Sequence, residues 1–599
     1  MFGAILVFLA VISVAGWSSH RRSAILSAIP VVGYSAPVLS MVTALQFVRN
    51  SQRLIDEGYH KYRGGLYRIR LLAHWIVVAT DAQAVEDIRR APPGVLSFGA
   101  AQDVFLQTVH TAGPEVVHDR SHVTWIRSEL TRCNSARFDA LREEMAMVLD
   151  EQIPPSTEWK AYPVEEVMEH VVCRMSNRLF VGESLCRNPE YLRLAMGFAS
   201  EFIKDVIVVK SCPEWLKPAV SRLLGNARKC AKRVAAHLRP EIERRDAAKG
   251  VAEKTYASMS DDALQWCLDR AEGNARFPEN LALRMLWINF GSLHSPTVTL
   301  VFALYQLATS PEYVQILREE VDGVVAQDGW SKAALGNMRK LDSFLKEVLR
   351  LNPPGIWAQQ RLALQPFTFS NGQTIPTGTM LACPVLSLHR DEEYYTDACE
   401  FAPWRHCDAR TEGGENRKNS FVTTKPDFLP FGHGADACPG RFFAAVQMKA
   451  LLAHIVLTYD IRFEEGKTIP GRRFVAGVLL PGKSNLEFRQ LSPCHTIPLL
   501  CKLRNAVEDE THVLLQCQAP VLATRRTTFL SALTAAKPGL RALHSRLPPP
   551  AFLDVLLTSG SGATLPLFAD FVADVFEIVD CTPPYTHVLC EDLCEVFAK

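Results

Sequence analysis

The sequence feature that most constrains the fold is the segment "PFGHGADACPGRFFA", in which one cysteine stands between two glycine-rich turns. Gly432 and Gly434 permit backbone conformations that other residues resist, so the segment can lie flat against a planar group. Pro439 suits the first turn of a helix, and "RFFAAVQMKALLAHIVL" continues with helical apolar spacing. Cys438 therefore lies at a predicted helix N-terminus, where free N–H groups and the helix dipole favour a thiolate, a suitable axial ligand for haem iron. The alternative is an inert core or helix-capping thiol.

Length and composition limit the interpretation. At 599 residues the chain exceeds one ordinary hydrophobic core, so we expect one large domain or more. The 65 Lys and Arg residues against 64 Asp and Glu residues leave a net charge of +1, which argues against a general nucleic-acid binder. The 16 cysteines are scattered without a paired framework, which favours a reducing compartment.

The N-terminal stretch "MFGAILVFLAVISVAGWSS" carries no charged side chain. Its length lies at the short end for a membrane span, which needs roughly 17–25 apolar residues. Trp17 would lie at the membrane interface, and Arg21 and Arg22 would hold the following chain on the cytosolic side. A cleaved secretory signal is the alternative, but no basic segment precedes the apolar run. We therefore expect a membrane anchor over residues 1–19.

Helices predominate in the rest of the pattern. "NSARFDALREEMAMVLDEQI" and "ARKCAKRVAAHLRPEIERRDAAKG" show apolar recurrence near 3.6 residues with charged opposite faces. "FTFSNGQTIPTGTMLACPV" carries an Asn-Gly turn between extended segments, which predicts a hairpin. The expected fold is mainly α with small accessory β-sheets. The character of the sequence changes after "SNLEFRQ", so we expect a main domain over residues 20–490 and an extension over residues 491–599.

The cysteine segment resembles the ligand loop of the cytochrome P450 superfamily, Phe-x-x-Gly-x-x-x-Cys-x-Gly. Phe431, Gly434, Cys438 and Gly440 occupy its four positions. The resemblance extends over about residues 1–490 and implies the cytochrome P450 fold, with haem b as the cofactor and Cys438 as the axial ligand of its iron.

Two further segments follow in the order that the family requires. "FLKEVLRLNPP" contains Glu347 and Arg350, which lie three residues apart and hence on one helix face, and "FAPWRH" supplies Arg405. The resemblance implies that these three residues form a buried ion network that fixes the chain beneath the haem. A Glu-x-x-Arg pair alone is more often a solvated helix pair.

The oxygen-handling helix of the family corresponds to "MLWINFGSLHSPTVTLVFALYQLA". Gly291 and Ser292 take the small positions above the iron. His294 and Ser295 stand where an acid and a threonine are usual, and the resemblance implies catalytic roles for both. Ser295 keeps a hydroxyl that can hold water or bound oxygen. Pro296 removes one N–H and opens the helix locally. An ordinary buried helix with a proline kink is the alternative.

Two departures from the family pattern concern the haem propionates. Asp436 stands where the family usually has His or Arg, and a carboxylate beside a propionate is repulsive, so another cation must compensate. Arg361 aligns with a propionate-binding strand arginine of relatives and is the cofactor-binding candidate. Arg127 is a weaker candidate that we expect to be a solvated surface charge, because the usual Trp-x-x-x-Arg spacing places Glu129 there.

The implied activity is reductive activation of O₂ and insertion of one oxygen atom into a C–H bond of a lipophilic substrate. Electrons would come from NADPH through a membrane-bound NADPH–cytochrome reductase, with the catalytic domain on the cytosolic face of the endoplasmic reticulum, and no nucleic-acid partner is expected. Several segments are similar to fungal ent-kaurene-oxidase-like enzymes of secondary metabolism, which favours a terpenoid-like substrate. The residues expected to border the substrate pocket are Phe98, Phe105, Phe290, Leu293, Ile356 and Val478.

Two other functions stay open. The unusual sequence His294-Ser295-Pro296 is compatible with a haem-thiolate isomerase, dehydratase or reductase. Asp436 and the C-terminal extension are compatible with a catalytically silent haem-binding protein.

The extension resembles the zinc-binding stretch at the C-terminal end of retrotransposon reverse transcriptases. Cys501, His512 and Cys517 match three ligand positions, while Arg504 stands where a second cysteine is expected. Three ligands without a fourth make a poor closed zinc site, so we expect a fused remnant rather than a working module.

Overall fold

The computed structural model describes residues 24–72, 74–113, 121–251, 261–408, 420–491 and 528–531. Helices predominate over these residues, as the sequence predicts. The α-helices are α1 Ala24–Ala28, α2 Pro37–Arg49, α3 Ser51–Lys61, α4 Ala82–Arg90, α5 Phe98–Leu106, α6 Thr108–Thr111, α7 Ser121–Trp125, α8 Thr131–Ala136, α9 Phe138–Gln152, α10 Val164–Phe180, α11 Glu183–Cys186, α12 Pro189–Lys210, α13 Lys217–Leu224, α14 Asn226–Val251, α15 Ala263–Arg270, α16 Pro278–Thr309, α17 Pro311–Asp328, α18 Lys332–Asn337, α19 Arg339–Leu351, α20 Val385–His389, α21 Arg405–Asp408 and α22 Arg441–Thr458.

Short strands supplement the helices. They are β1 Val31–Val32, β2 Leu66–Arg70, β3 Trp75–Ala79, β4 Leu96–Ser97, β5 Lys160–Pro163, β6 Trp357–Ala363, β7 Phe367–Thr368, β8 Thr374–Ile375, β9 Met380–Pro384, β10 Tyr459–Phe463, β11 Arg473–Val475, β12 Val478–Leu480 and β13 Asn485–Gln490. The largest sheet has six strands in the order β1-β2-β3-β9-β6-β4, and a second sheet has the order β10-β13-β5. Two-stranded ribbons pair β11 with β12 and β7 with β8.

The elements predicted from periodicity and turn chemistry are confirmed. The two predicted long helices correspond to α9 and α14. The Asn-Gly hairpin corresponds to β7 and β8, and Gly372 in its turn has a φ of +82° that favours glycine.

Helix α16 runs through the centre of the protein. It begins with Pro278 in its first turn, and its 32 residues span about 48 Å. Its second half is buried almost continuously, from Pro296 to Ala308, as expected of a helix that is apolar on all sides. The helix packs against α10, α12, α14, α19 and α22, so it is the element around which the helical core is built.

A buried polar contact joins three of these helices. Asn177 of α10 and Asn289 of α16 exchange amide hydrogen bonds of 2.8 and 3.1 Å, and the Tyr191 hydroxyl of α12 donates to Asn177 Oδ1 at 3.0 Å. All three side chains are fully buried. Because buried amides are costly to leave unpaired, this contact fixes the position of α16 relative to its neighbours.

Over the described residues, one helix, α22, is long and apolar enough to cross a membrane by length and composition, and most of it is buried inside the protein. The predicted anchor, residues 1–19, lies outside the described residues.

Replacing Asn177 with alanine should lower the free energy of unfolding by about 1–3 kcal/mol, because the Asn289 amide and the Tyr191 hydroxyl lose their buried partner. Urea denaturation measures the change. The Asn177→Ala/Asn289→Ala double variant should lose less than the sum of the single losses. Asn280→Ala, at a half-buried position of α16 where the amide makes one solvent-exposed hydrogen bond to the Asn274 carbonyl, is the control and should change stability by no more than about 0.5 kcal/mol. Additive losses would show that the two amides are not coupled.

Candidate functional site

A cavity of about 260 Å³ lies between the cysteine segment and α16. Cys438, Phe431 and Gly440 line it from the cysteine segment, and Ser292 and Ser295 line it from α16. Most of the remaining lining is apolar, contributed by Ile126, Leu130, Phe180, Trp287, Phe443 and Met448. The geometry therefore joins the predicted iron ligand and the predicted oxygen-handling serine in one cavity.

The cysteine segment is held by its own backbone. The Cys438 N–H donates to the Phe431 carbonyl at 2.8 Å, and the Gly432 N–H donates to the Leu429 carbonyl at 2.8 Å. Gly432 and Gly434 have φ values of +67° and +80°, as the sequence predicts for these turns. At Gly434 a Cβ atom would also lie 2.4 Å from Arg89 Cγ, so a side chain here would displace Arg89 as well as strain the backbone.

The sulfur of Cys438 lies just before α22. Burial raises the pKa of the Cys438 thiol, while hydrogen bonds from the Gly440 and Arg441 amides and the charges of Arg441 and Arg127 act in the opposite direction. The amides are the free N–H groups of the helix N-terminus that the sequence predicts. A bound metal ion supplies the positive charge that deprotonates a coordinating thiol outright.

Glu347 lies at the centre of a buried ion network. Arg350 donates to both of its carboxylate oxygens at 2.7 and 2.8 Å, and Arg405 Nε donates at 3.1 Å. Glu347 and Arg350 are fully buried. Burial alone would raise the pKa of Glu347, but hydrogen bonds from Arg350 and His406 hold it well below its usual range. The structure thus brings together the three residues that the family pattern selected.

Two histidines complete this region, and sequence reasoning missed both. His406 Nε2 lies 3.3 Å from the Glu347 carboxylate, and burial lowers the pKa of His406 to about 4. His389 Nδ1 contacts the Arg350 carbonyl at 2.7 Å, and its Nε2 accepts from the Leu429 N–H at 3.2 Å. Burial lowers the pKa of His389 to about 3, so the ring is neutral. The sequence offered one signal for His406, its position next to Arg405. It offered none for His389, which lies far from Glu347 and Arg405 in sequence.

Asp436 forms an ion pair with Arg361, with 3.0 Å between the carboxylate oxygen and the guanidinium nitrogen. Arg361 is buried, and burial lowers its pKa while the Asp436 charge opposes that shift. Gln359, which has a left-handed φ of +54° in a bulge of β6, accepts from Arg361 at 3.0 Å and donates to the His433 carbonyl at 3.1 Å. The compensating cation that Asp436 requires is therefore Arg361.

Arg127 is exposed, as the sequence predicts, but it is not free of the cysteine segment. Its Nη2 donates to the Ala435 carbonyl at 2.6 Å, within the cysteine segment. Residues Ile126–Leu130 form a π-helical turn, which changes the helical register in a way that residue spacing does not reveal. Glu129 forms ion pairs with Arg132 and Arg270 instead.

The two predicted catalytic residues of α16 lie in different surroundings. Ser295 lines the cavity, and Gly291 and Ser292 line it on the same face. His294 is not among the lining residues; burial lowers its pKa, and a hydrogen bond with the Leu479 backbone opposes that shift. Consecutive helix residues point about 100° apart, so neighbours in sequence face different surroundings.

The six residues expected to border the substrate pocket do not line this cavity. Phe290 packs against Phe202 with 5.1 Å between the ring centroids. Leu293 and Ile356 belong to the buried core, and Val478 is exposed. Phe98 lies beneath the Arg361 guanidinium and Phe105 beneath the Lys210 ammonium. The aromatic rings are thus used for packing and for contacts with cations.

The comparisons with known proteins agree with this geometry. The cytochrome P450 family model matches residues 33–487, and the chain belongs to this family. It is 37% identical to cytochrome P450 monooxygenase 151 of Postia placenta over 76% of this chain and 92% of the relative. It is 31% identical to cytochrome P450 monooxygenase CYP512U6 of Ganoderma lucidum over 80% of this chain and 94% of the relative.

A third relative and a solved structure extend the comparison. Ent-kaurene oxidase P450-4 of Gibberella fujikuroi is 29% identical over 76% of this chain and 90% of the relative. The retinoic acid-bound cyanobacterial CYP120A1 structure has the same fold, with a TM-score of 0.58 and 18% identity over 75% of this chain and 96% of that chain. The protein is therefore a haem-dependent monooxygenase of the fungal type, with haem b as cofactor and electrons supplied from NADPH by a reductase.

The residues around the cavity fit a haem. Across the described residues no group of three or more His, Cys, Asp and Glu side chains could hold a bare metal ion. A single cysteine suits an iron whose other ligands come from a macrocycle. Arg127, Arg361 and Arg441 surround the cysteine segment with positive charge suited to propionates. The zinc-ligand candidates Cys501, His512 and Cys517 lie outside the described residues.

Replacing Glu347 with glutamine should lower the free energy of unfolding by about 3–5 kcal/mol, because Arg350 keeps its buried charge and loses the carboxylate that compensates it. Urea denaturation and haem content measure the effect. Since the folded pKa of Glu347 lies below its unfolded value of about 4.3, the contribution is present above that pH and disappears as the pH falls through the folded pKa. The Glu347→Gln variant should lack this part of the acid sensitivity. Glu143→Gln, on the exposed surface of α9, is the control, and equal stability of the two variants would contradict the role of the network.

Replacing Asp436 with asparagine should slow haem loss about two- to fivefold. The variant removes a partly exposed ion pair of about 0.5–1 kcal/mol, so the Arg361 charge is no longer neutralised by Asp436 and is available to a propionate. Transfer of haem to excess apomyoglobin measures the rate. Glu465→Gln, an exposed acid in the turn after β10, is the matched control and should leave the rate unchanged. Faster haem loss in the Asp436→Asn variant would show instead that the carboxylate holds Arg361 in its binding position.

Proposed function

We propose that this monooxygenase oxidises a lipophilic, terpenoid-like substrate in fungal secondary metabolism. The observation that carries the proposal is the mainly apolar cavity that Cys438 and Ser295 line together with Phe431, Phe443 and neighbouring side chains. An apolar wall with a few polar groups suits a hydrocarbon-rich molecule and excludes bulk water. The similarity to an ent-kaurene oxidase supports a terpenoid substrate.

The proposed roles follow the position of each residue. Cys438 ligates the haem iron, and haem supplies the reductive activation of O₂ when bound. Phe431, Gly434 and Gly440 would hold the ligand loop against the cofactor, and Arg361 would pair with a propionate. Glu347, Arg350 and Arg405 fix the chain that leads into the loop.

Proton delivery is assigned to α16. The Ser295 hydroxyl both donates and accepts, so its Oγ can hold a water molecule and pass a proton into the cavity. His294 has its contact with the Leu479 backbone, and its proposed role is to position the wall of α16 against β12.

The cellular setting is proposed from the same family pattern. An anchor over residues 1–19 holds the domain of residues 20–490 on the cytosolic face of the endoplasmic reticulum. There a membrane-bound NADPH–cytochrome reductase supplies the electrons, and lipophilic substrates enter from the bilayer. The retrotransposon-like extension over residues 491–599 has no part in this chemistry.

The Cys438→Ala variant should lose the reduced carbon-monoxide absorption band of a haem thiolate, because it lacks the sulfur ligand. Ser295→Ala should keep that band but lower substrate oxidation about 10–100-fold, while NADPH consumption continues, because proton delivery is impaired. The measurements are the difference spectrum, NADPH and oxygen consumption with a reductase, and product formation from candidate terpenoids.

Cys212→Ala, at a cysteine outside the cavity, is the matched control and should behave as the parent protein. A parent spectrum that survives in Cys438→Ala would overturn the ligand assignment. Turnover without oxygen uptake would instead indicate an isomerase, dehydratase or reductase. A normal thiolate band without turnover of any candidate would indicate a silent haem-binding protein.

A further inference from the structure

We propose that Arg70, His74 and Lys210, here called the donor cluster, bind the carboxylate of an elongated lipophilic substrate whose apolar body extends to the Cys438 cavity. The inference rests on the proposed oxidation of a lipophilic substrate and adds an anionic group at the end remote from the oxidised carbon.

Three separate elements bring the cluster together. Arg70 ends β2 and pairs in register with Trp75 of β3, and His74 lies in the turn between these strands. Arg70 lies over the Trp75 ring at 5.9 Å from its centroid. Lys210 ends α12, and its ammonium lies 4.6 Å from the centroid of the Phe105 ring of α5. Aromatic faces thus hold two of the cations, which leaves their hydrogen-bond donors available to a ligand.

Two buried nitrogens of the cluster lack a hydrogen-bond partner among the described residues. Arg70 is only 2% exposed, and its Nη1 is buried with no hydrogen-bond partner, while its Nη2 donates to the Leu72 carbonyl at 3.3 Å. His74 Nε2 is also buried without a partner. Over the described residues neither of these groups nor Lys210 forms an ion pair with a carboxylate. Buried cations are almost always paired, so this arrangement calls for an anion that the described residues do not supply.

The electrostatic effects within the cluster agree with this geometry. Burial and the charges of Lys210 and Arg70 lower the pKa of His74 to about 3. Burial and the charge of Lys217 lower the pKa of Lys210 to about 8. No carboxylate opposes either shift. Lys217 itself is satisfied by Gln107 at 2.9 Å and by Glu214, so it is not part of the cluster.

Helix α12 connects the cluster with the cavity. Phe202 of this helix packs against Phe290, which immediately precedes the cavity residue Gly291. Lys210 lies eight residues further along α12, or about 12 Å at the rise of an α-helix. A substrate that joins both sites must therefore be elongated. The burial of Arg70 favours an anion that enters with the ligand over the headgroup of a lipid lying on the surface.

The experiment compares dodecanoate with 1-dodecanol, which differ at the anionic group. Each is titrated into the full-length, haem-loaded protein, and binding is followed by the shift of the haem absorption band and by calorimetry. The parent protein should bind dodecanoate at least about tenfold more tightly than the alcohol. Lys210→Met should reduce this preference to within about threefold while leaving the affinity for 1-dodecanol unchanged. Lys204→Met, at an exposed lysine of α12 paired with Glu201, is the matched control and should keep the preference.

Three results would overturn the proposal. The first is equal binding of both probes, or no binding of dodecanoate. The second is a preference for dodecanoate over 1-dodecanol that survives in Lys210→Met. The third is that phosphatidylserine vesicles displace dodecanoate from the parent protein but not from Lys204→Met. Arg70→Met is the second variant and should show the same loss; if it fails to retain haem, Lys210→Met decides. The reduced carbon-monoxide band is recorded for every variant, because its presence shows that the haem-thiolate function stands independently of the anion site.

Discussion

The buried contact between Glu347 and Arg350 is the interaction on which the cavity depends. Arg350 uses its remaining N–H groups to donate to the carbonyls of His389, Ala398 and Glu400, so one guanidinium holds segments that are 39 to 50 residues away in sequence. A charge pair in this position contributes little by itself, because desolvation offsets much of its attraction. Its importance comes from the backbone carbonyls that it satisfies, which lie at the end of α20 or in the loop after it and have no partner within a helix or strand.

His389 connects the Glu347–Arg350 network with the ligand loop. Its ring contacts the Arg350 carbonyl on one side and accepts from the Leu429 N–H on the other, and it stacks on Phe428 with 5.4 Å between the ring centroids. Leu429 in turn closes the first turn of the cysteine segment through Gly432. The position of Cys438 is thus determined by a continuous set of short contacts that begins at Glu347.

Local patterns predicted the helices, the hairpin and the cysteine segment, because apolar periodicity and glycine turns act over a few residues. The family pattern selected Glu347, Arg350 and Arg405, which the structure brings together. Contacts between distant segments were not predictable in this way. Arg127 reaches the ligand loop only through a π-helical turn, and the Asn177–Asn289 pair joins residues 112 positions apart. The six expected pocket residues do not line the described cavity, since they were placed by segment and not by direction.

Pro296 creates a point beside the cavity at which α16 can bend. In a helix of about 48 Å, the carbonyl of Ser292 lacks the N–H that would normally pair with it, and this gap lies beside the cavity residue Ser295. The rest of the helix is stiffened by continuous hydrogen bonding and by burial beyond Pro296. Any flexing of the helix is therefore concentrated at one hinge. A bulky substrate can widen the cavity at this hinge without loosening the tightly packed second half of α16.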